Sequence, residues 1–343
     1  MKKQTKKVTK KTSKKFSKIG ILCSGGNAPG MANCVNAFAK KCLSCGITPV
    51  GFSNGFVGLH DNRYQILDTK YTQQFISDGS ALIGTARSPQ FQNDIKYRQQ
   101  CVKNLENLGI DALFVVGGEG SYNGAYELAK LGVKVITIPA TIDNDVASTS
   151  YTIGFDTCLN TVCDAICKVT DVFVSHEGVA IIEIMGRHCP DLTVRSAIAN
   201  NATFMVTKHS KLTKEGFVDI VKKQYAKGNF VVTFLVTERM YGIGNMPTLK
   251  EIAKYVEKET GKMTRHVEIG YMQRGGTPSA RDRLLSNYMI NIGMNALLAG
   301  RYNRAVCRKN RVTVDVDLAT ALKQKRKSWN RNLVREFNKI NQN

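Results

Sequence analysis

The chain has 343 residues, with 49 Lys+Arg against 27 Asp+Glu, a formal net charge of +22 and 43% hydrophobic residues. That length suits two ordinary domains, and the apolar content argues against disorder, a collagen-like chain or a disulfide-stapled scaffold. No run of about 18 or more apolar residues occurs, which argues against a membrane-spanning helix.

The excess charge sits at the ends. Residues 1–18 hold nine Lys and no acid, and residues 323–343 add a further +6, which leaves +7 for everything between. The first segment has almost no apolar face and reads as a disordered basic arm over 1–17. No apolar stretch follows it, so it is not a secretory signal. Nucleic-acid contact through the basic tails is the less favoured reading, because blocks of like charge are usually just solvated. The ten cysteines are scattered. Cys42 and Cys45 have no second pair at zinc spacing, and Cys163 and Cys167 have no His or Cys neighbours. Buried or free thiols of a reducing cytoplasm are expected.

In chain order, 18–24 reads as an apolar strand ending in Gly25-Gly26, 29–44 as a helix and 47–53 as a strand. A helix over 93–107 precedes a buried strand at 111–116 that ends in Gly117-Gly118. A helix at 121–130 and a strand at 134–138 follow. The second half repeats the style, with helices at 156–173, 191–201, 214–226, 249–260 and 279–298 and strands at 179–184, 230–236 and 267–272. Strands alternating with helices predict βαβ units and parallel sheets covered on both faces.

Three loops at strand ends carry the chemistry. Ser24-Gly25-Gly26-Asn27 and Gly117-Gly118-Glu119-Gly120-Ser121 let the backbone approach a phosphate at a helix N-terminus. Neither matches a P-loop or a dinucleotide fingerprint, and either alone is also compatible with a tight turn. Thr141-Ile142-Asp143-Asn144-Asp145 puts two carboxylates at i, i+2 beyond a strand's carboxyl end. One suits a general base, and the other can hold that base or sit near a metal-bound water. Arg87, Arg187 and Arg274 fall at similar junctions, and arginine captures phosphate bidentately. Together these features point to phosphoryl transfer with electrostatic stabilisation.

At this point the residues resemble the ATP-dependent 6-phosphofructokinase family of bacterial type. The matching stretches are SGGNAPGM (24–31), GTARSP (84–89), VVGGEGSYNGA (115–125), PATIDND (139–145), YTIGFDT (151–157), EIMGR (183–187), EKETG (257–261), YMQRGGTP (271–278) and DR (282–283). The resemblance implies an α/β protein of two Rossmann-like three-layer α/β/α domains with mainly parallel sheets. It divides the chain into an ATP-binding part (18–154 plus 273–323) and a sugar-phosphate-binding part (155–272 plus 324–343, with a basic C-terminal tail).

It further implies a cytoplasmic homotetramer and transfer of the ATP γ-phosphoryl to the 1-hydroxyl of fructose 6-phosphate with Mg²⁺. Asp143 would be the base, with Asp145 close by. Thr141 and Arg187 would steady the transferring group and Arg87 would bridge donor and acceptor. Gly26, Arg87, Ser88, Gly118, Glu119, Gly120 and Ser121 would hold ATP, with Glu119 at the Mg²⁺-associated position. Thr141, Ile142, Asp143, Met185, Gly186, Arg187, Glu238, Arg265, Tyr271 and Arg274 would hold the sugar phosphate, Arg265 reaching in from a neighbouring subunit. Gly120, Gly124 and Ala140 favour ATP over pyrophosphate, whose users typically carry Asp and Lys at 120 and 140.

The departures are Asn27 and Glu119, each where Asp is usual, Gly178 where an Arg clamps the 6-phosphate, and Tyr271 where a His touches the sugar phosphate. They predict weakened substrate affinity more than a lost chemical step. They also leave open a catalytically weak paralogue acting as a binding partner, or a kinase of another sugar phosphate. Asn36, Lys40, Thr170 and His209 replace the effector-site residues of bacterial relatives, so little allosteric control is expected.

Overall fold

A computed structural model describes residues 16–68, 78–325 and 331–342, so residues 1–15 of the disordered basic arm expected over 1–17 lie outside the described residues. Phe16 and Ser17, expected in that arm, are held by contacts instead. Phe16 packs against the core. The Asp111 carboxylate accepts from Ser17 N at 2.6 Å, Ser17 Oγ at 3.1 Å and Lys18 N at 3.1 Å.

The first half builds β1 (Lys18–Ser24), α1 (Met31–Ser44), β2 (Thr48–Phe52), α2 (Gly55–His60), β3 (Tyr64–Ile66), β4 (Thr85–Ala86), α3 (Pro89–Asn93), α4 (Ile95–Asn107), β5 (Ala112–Gly117), α5 (Glu119–Lys130) and β6 (Val135–Pro139). The second half builds α6 (Phe155–Ser175), β7 (Val179–Ile184), α7 (Asp191–Ala199), β8 (Phe204–Val206), α8 (Lys214–Ala226), β9 (Val232–Thr237), α9 (Leu249–Thr260) and β10 (Thr264–Glu268). A 3₁₀ turn (Gly270–Arg274), α10 (Ala280–Leu298), β11 (Arg304–Lys309), β12 (Val312–Asp317), α11 (Leu318–Lys323) and α12 (Arg331–Gln342) complete the described chain.

The strands form two sheets. The first runs β12-β11-β6-β5-β1-β2-β3, with β4 added to β1. Its interior pairs are parallel, whereas β3 on β2 and β12 on β11 are antiparallel. The second runs β10-β7-β9-β8 and is parallel throughout. The expected mainly parallel α/β architecture is therefore present, with antiparallel strands confined to the edges. Every residue of β5 and β9 is buried, as strands covered on both faces require. One apolar cluster runs from Ile19 and Phe114 in the first sheet, through α1, α6 and α10, to Ala180 and Ile182 in the second.

Helix starts follow their caps. Thr248 and Glu251 form a reciprocal capping box on α9, and Ser279 caps α10. Gly154, at φ +95, turns the chain into α6. A β-carbon there would lie 2.8 Å from Ala28 Cβ, so only glycine fits.

One expected strand is corrected. The strand placed at 267–272 lies at 264–268, in register with β7 from Thr264↔Val179 to Glu268↔Glu183. β10 is an edge strand and only partly buried, so the apolar residues that drew the assignment belong partly to the 3₁₀ turn beyond it. Gly270, at φ +60, stands at that junction. The C-terminal tail carries a helix that the sequence reading did not place. α12 is a docked amphipathic helix with Val334 fully buried. Asn338 accepts from Met205 N at 2.9 Å and donates to Met205 O at 3.0 Å, covering the free edge of β8.

None of the ten cysteines forms a disulfide, and seven of them are buried. Burial pushes the Cys34, Cys42 and Cys101 thiols up to about 12, which suits small apolar side chains rather than reactive groups. No helix among the described residues is long and apolar enough to cross a membrane.

Candidate active site

The carboxyl ends of β1, β5, β6, β7 and β9 open onto one cleft of about 730 Å³. The first sheet supplies the two glycine loops and the Asp143–Asp145 turn. The second supplies Met185, Arg187 and Glu238, and the 3₁₀ turn supplies Tyr271 and Arg274. Arg87 and Ser88 enter from the segment after β4.

The Asp143 loop is held from both sides. Ala140 N donates to Gly117 O at 3.0 Å, Thr141 N donates to Ile153 O at 3.0 Å, and Thr141 Oγ1 accepts from Asp143 N at 3.2 Å. Asp143 is 6% exposed. Burial first, and then the neighbouring Asp145 carboxylate, push its pKa up to about 6, against the opposing pull of Arg274. Asp143 Oδ1 and Asp145 Oδ1 are both buried with no hydrogen-bond partner among the described residues. Two such oxygens in one cleft are acceptors waiting for a proton donor or a cation.

On the facing wall, Glu238 Oε1 accepts from the amides of Gly186 (3.2 Å) and Arg187. Met185 N donates to Gln273 Oε1 at 3.2 Å. Arg187 and Arg239 have φ of +54° and +62°, uncommon for a side chain of this size. Arg274 lies against Gly26: a β-carbon on Gly26 would meet its Nη1 at 2.5 Å. A side chain at Gly26 would displace that guanidinium from its place against the first loop. Asn27 Nδ2 donates to Arg274 O and to Gly79 O, both at 2.7 Å, which ties that turn to the first loop.

Gly118 caps α5, where first-turn amides lack intrahelical partners. A β-carbon at Gly120 would find only Gln92 Nε2, at 3.7 Å, so that position is open. Ser121 lines the cleft, but its hydroxyl donates to Ser24 O at 3.1 Å. Glu119 is exposed at the rim, and no group of three or more His, Cys, Asp or Glu that could hold a metal occurs among the described residues.

Most of the expected site residues thus meet in one place: Gly26, Arg87, Ser88, Gly118, Glu119, Gly120, Ser121, Thr141, Asp143, Asp145, Met185, Arg187, Glu238, Tyr271 and Arg274 all line the cleft. Three do not. Ile142 is fully buried in the core. Gly186 is glycine because a β-carbon would lie 2.4 Å from Cys189 O. Arg265 is on β10, paired with Glu257 at 2.8 Å. Gly178 is at the opposite end of β7, where a side chain would meet Met263 O at 2.8 Å and Phe173 at 2.9 Å. Sequence reasoning missed Arg239, Gln92 and the stacked pair Phe56–Phe91 (ring centroids 4.0 Å apart), all cleft-lining. Arg239 directly follows Glu238 at a strand's carboxyl end, which is the signal that marked the other arginines.

Glycine loops, a buried carboxylate pair and converging arginines on the carboxyl ends of two α/β sheets define a phosphotransferase-type enzyme. Comparison with known proteins narrows the class. The phosphofructokinase family matches residues 18–297, and the chain belongs to that family. It is 40% identical over 325 residues to the ATP-dependent 6-phosphofructokinase of Photobacterium profundum, covering 95% of this chain and 99% of that protein. It is 41% identical over 291 residues to the protein of the same name from Vibrio campbellii, covering 85% and 89%. Among solved structures, phosphofructokinase from Saccharomyces cerevisiae superposes with a TM-score of 0.80 at 26% identity, covering 90% of this chain and 45% of that longer one.

Proposed function

We propose that this chain is an ATP-dependent 6-phosphofructokinase that transfers the γ-phosphoryl of ATP to the 1-hydroxyl of fructose 6-phosphate, a step of glycolysis. The observation that carries the reading is the Asp143 carboxylate, buried between the phosphate-type loops and the arginine-lined facing wall. Full-length likeness to proteins bearing that name supports it.

In this reading Asp143 accepts the sugar hydroxyl proton as the oxygen attacks, and burial, with Asp145 beside it, keeps its pKa raised for that task. Arg87 and Arg187 stabilise charge on the transferring group, with Thr141 beside it. Met185, Glu238, Tyr271 and Arg274 hold the acceptor, and the loop at Gly118–Ser121 holds the nucleotide phosphates. Space at Gly120 leaves room for the α-phosphate of ATP.

The unpartnered oxygens of Asp143 and Asp145, with Glu119 at the rim, fit a Mg²⁺ ion completed by nucleotide phosphates and water rather than by a protein cage. Of these, Asp145 and Glu119 would hold it. The ion would neutralise charge on the phosphates.

Each sheet heads one domain in this proposal, with residues 18–154 plus 273–323 on the nucleotide side and 155–272 plus 324–343 on the acceptor side. A cytoplasmic homotetramer is part of it, since Arg265 contributes only if it reaches a neighbour's cleft. Gly178 and Tyr271 supply no cation there, and losing one charged phosphate contact costs about 1.5–3 kcal/mol, so the KM for the sugar phosphate is raised.

A coupled assay with ATP, Mg²⁺ and fructose 6-phosphate tests the reading. Turnover at millimolar sugar phosphate is expected; none, beside an active relative run in parallel, would refute it. ADP or phosphoenolpyruvate is expected to leave the fructose 6-phosphate saturation curve in place, because Asn36, Lys40, Thr170 and His209 do not reproduce the relatives' effector residues. A severalfold shift in that curve would contradict this.

A further inference from the structure

Asn144 sits between the two cleft carboxylates and belongs to no role assigned above. Its backbone is left-handed, with φ +49, and it is 1% exposed. Its Oδ1 accepts from Thr152 N at 2.9 Å and stands 3.2 Å from Thr152 Oγ1. Thr152 Oγ1 in turn donates to Thr141 O at 2.7 Å. The Asn144 Nδ2 donates at 2.8 Å to Asp191 Oδ2. Exchanging the amide's oxygen and nitrogen would set N–H against N–H at Thr152 and oxygen against carboxylate at Asp191, so the network fixes its orientation.

Asp191 belongs to the other half of the site. It opens α7, is 1% exposed, and follows directly on the loop that carries Met185 and Arg187. That loop is tied to it: Cys189 Sγ donates to Asp191 Oδ1 at 3.0 Å, and Cys189 N donates to Gly186 O at 2.8 Å. The hydrogen bond from Asn144 to Asp191 is charge-assisted and shielded from water, the strong and directional kind. It joins the loop of the first sheet that holds the base to the loop of the second that holds the arginine.

We propose that the Asn144–Asp191 hydrogen bond is a strut that sets the position of Asp143 relative to Arg187, making both residues positioning residues for phosphoryl transfer. The proposal rests on the function given above. Neither residue touches the reacting atoms. Their effect lies in geometry, where an error of about 1 Å in a reacting group costs about 100-fold in rate.

The test compares Asn144→Ala, Asn144→Asp, Asp191→Asn and the exchange that combines Asn144→Asp with Asp191→Asn, all in the full chain. Asn144→Asp sets two carboxylates face to face. Asp191→Asn leaves one oxygen where two donors, Asn144 and Cys189, had one each. The exchange rebuilds the contact with the donor on position 191, while the carboxylate placed at position 144 still accepts from Thr152. The single variants are expected to lose kcat by about 100-fold, with the KM for ATP unchanged. The exchange should recover at least tenfold of that. Recovery of melting temperature without recovery of kcat would overturn the strut, as would single variants with the kcat of the parent. Hydrogen–deuterium exchange separates this from failure of the functional reading. Even if the parent turns over no fructose 6-phosphate, Asn144→Ala should speed exchange in residues 185–192 across the contact, and unchanged exchange there would refute the strut. If Asn144→Ala does not fold, the isosteric Asp191→Asn, read over residues 140–145, decides the same question.

Discussion

Asp143→Ser lowers kcat by about 100- to 10,000-fold, the range for loss of a general base, and leaves the KM of both substrates little changed. The side chain is buried where the two walls of the cleft meet, and one of its oxygens has no partner among the described residues. Its removal therefore takes away an interaction made as the hydroxyl loses its proton, rather than one that binds the ground state. Steady-state kinetics with both substrates checks this; a Ser variant with more than a tenth of the parent kcat would contradict it. In the proposed mechanism the same carboxyl sets the acid limit. A base must be ionised, so kcat falls as the pH drops through about 6. In Asp145→Asn the limb should move to lower pH, because a like charge that raises the Asp143 pKa is gone.

The sign for stability is the reverse of the usual one for a carboxylate. Asp143 and Asp282 both have pKa values raised to about 6 from 3.8, chiefly by burial. The folded chain then holds these protons more tightly than the unfolded chain. Their contribution to stability is full below 3.8 and is lost as the pH rises through about 6. The two buried carboxyls thus give up stability at neutral pH, where Asp143 would act as the base in the proposed mechanism.

Arg187→Ala lowers kcat by about 100- to 1,000-fold, the scale for one preorganised group aimed at developing charge. Its backbone, at φ +54, is held there by the Glu238 carboxylate, which accepts the Arg187 and Gly186 amides. The turn persists in the variant, so the loss is in charge rather than in fold. Arg187→Lys should recover only part of it, since an ammonium cannot reproduce the planar fork of a guanidinium. Comparison of kcat and melting temperature for the two variants tests this: a normal kcat in the Ala variant would remove Arg187 from the chemistry.

The contrast between Ile142 and Asp143 shows how far the sequence could be read. Both lie in one motif, yet Ile142 goes wholly into the core and Asp143 into the cleft, because the chain turns between them. Gly186 and Gly26 make the same point from the other side. Gly186 is required by Cys189 O and Gly26 lies against the Arg274 guanidinium, partners 3 and 248 positions away, and no spacing rule reveals such contacts. Strand β10 was displaced because an edge strand is only partly buried and its apolar signal is weak. The central strands β1, β5 and β7 were legible because burial on both faces demands a continuous apolar run.

The +22 charge divides in the same way. Sequence alone showed that fifteen of those charges lie in the end segments, and that the body between them is only mildly basic. It also determined the α/β class, the glycine loops and the carboxylate pair, since these depend on local periodicity and on residue type. Only the tertiary structure decided that the basic C-terminal segment contains a helix docked on β8, that Arg265 is turned to Glu257, and that Asn144 reaches Asp191. Those are pairings between distant parts of the chain, set by which faces the two sheets bury.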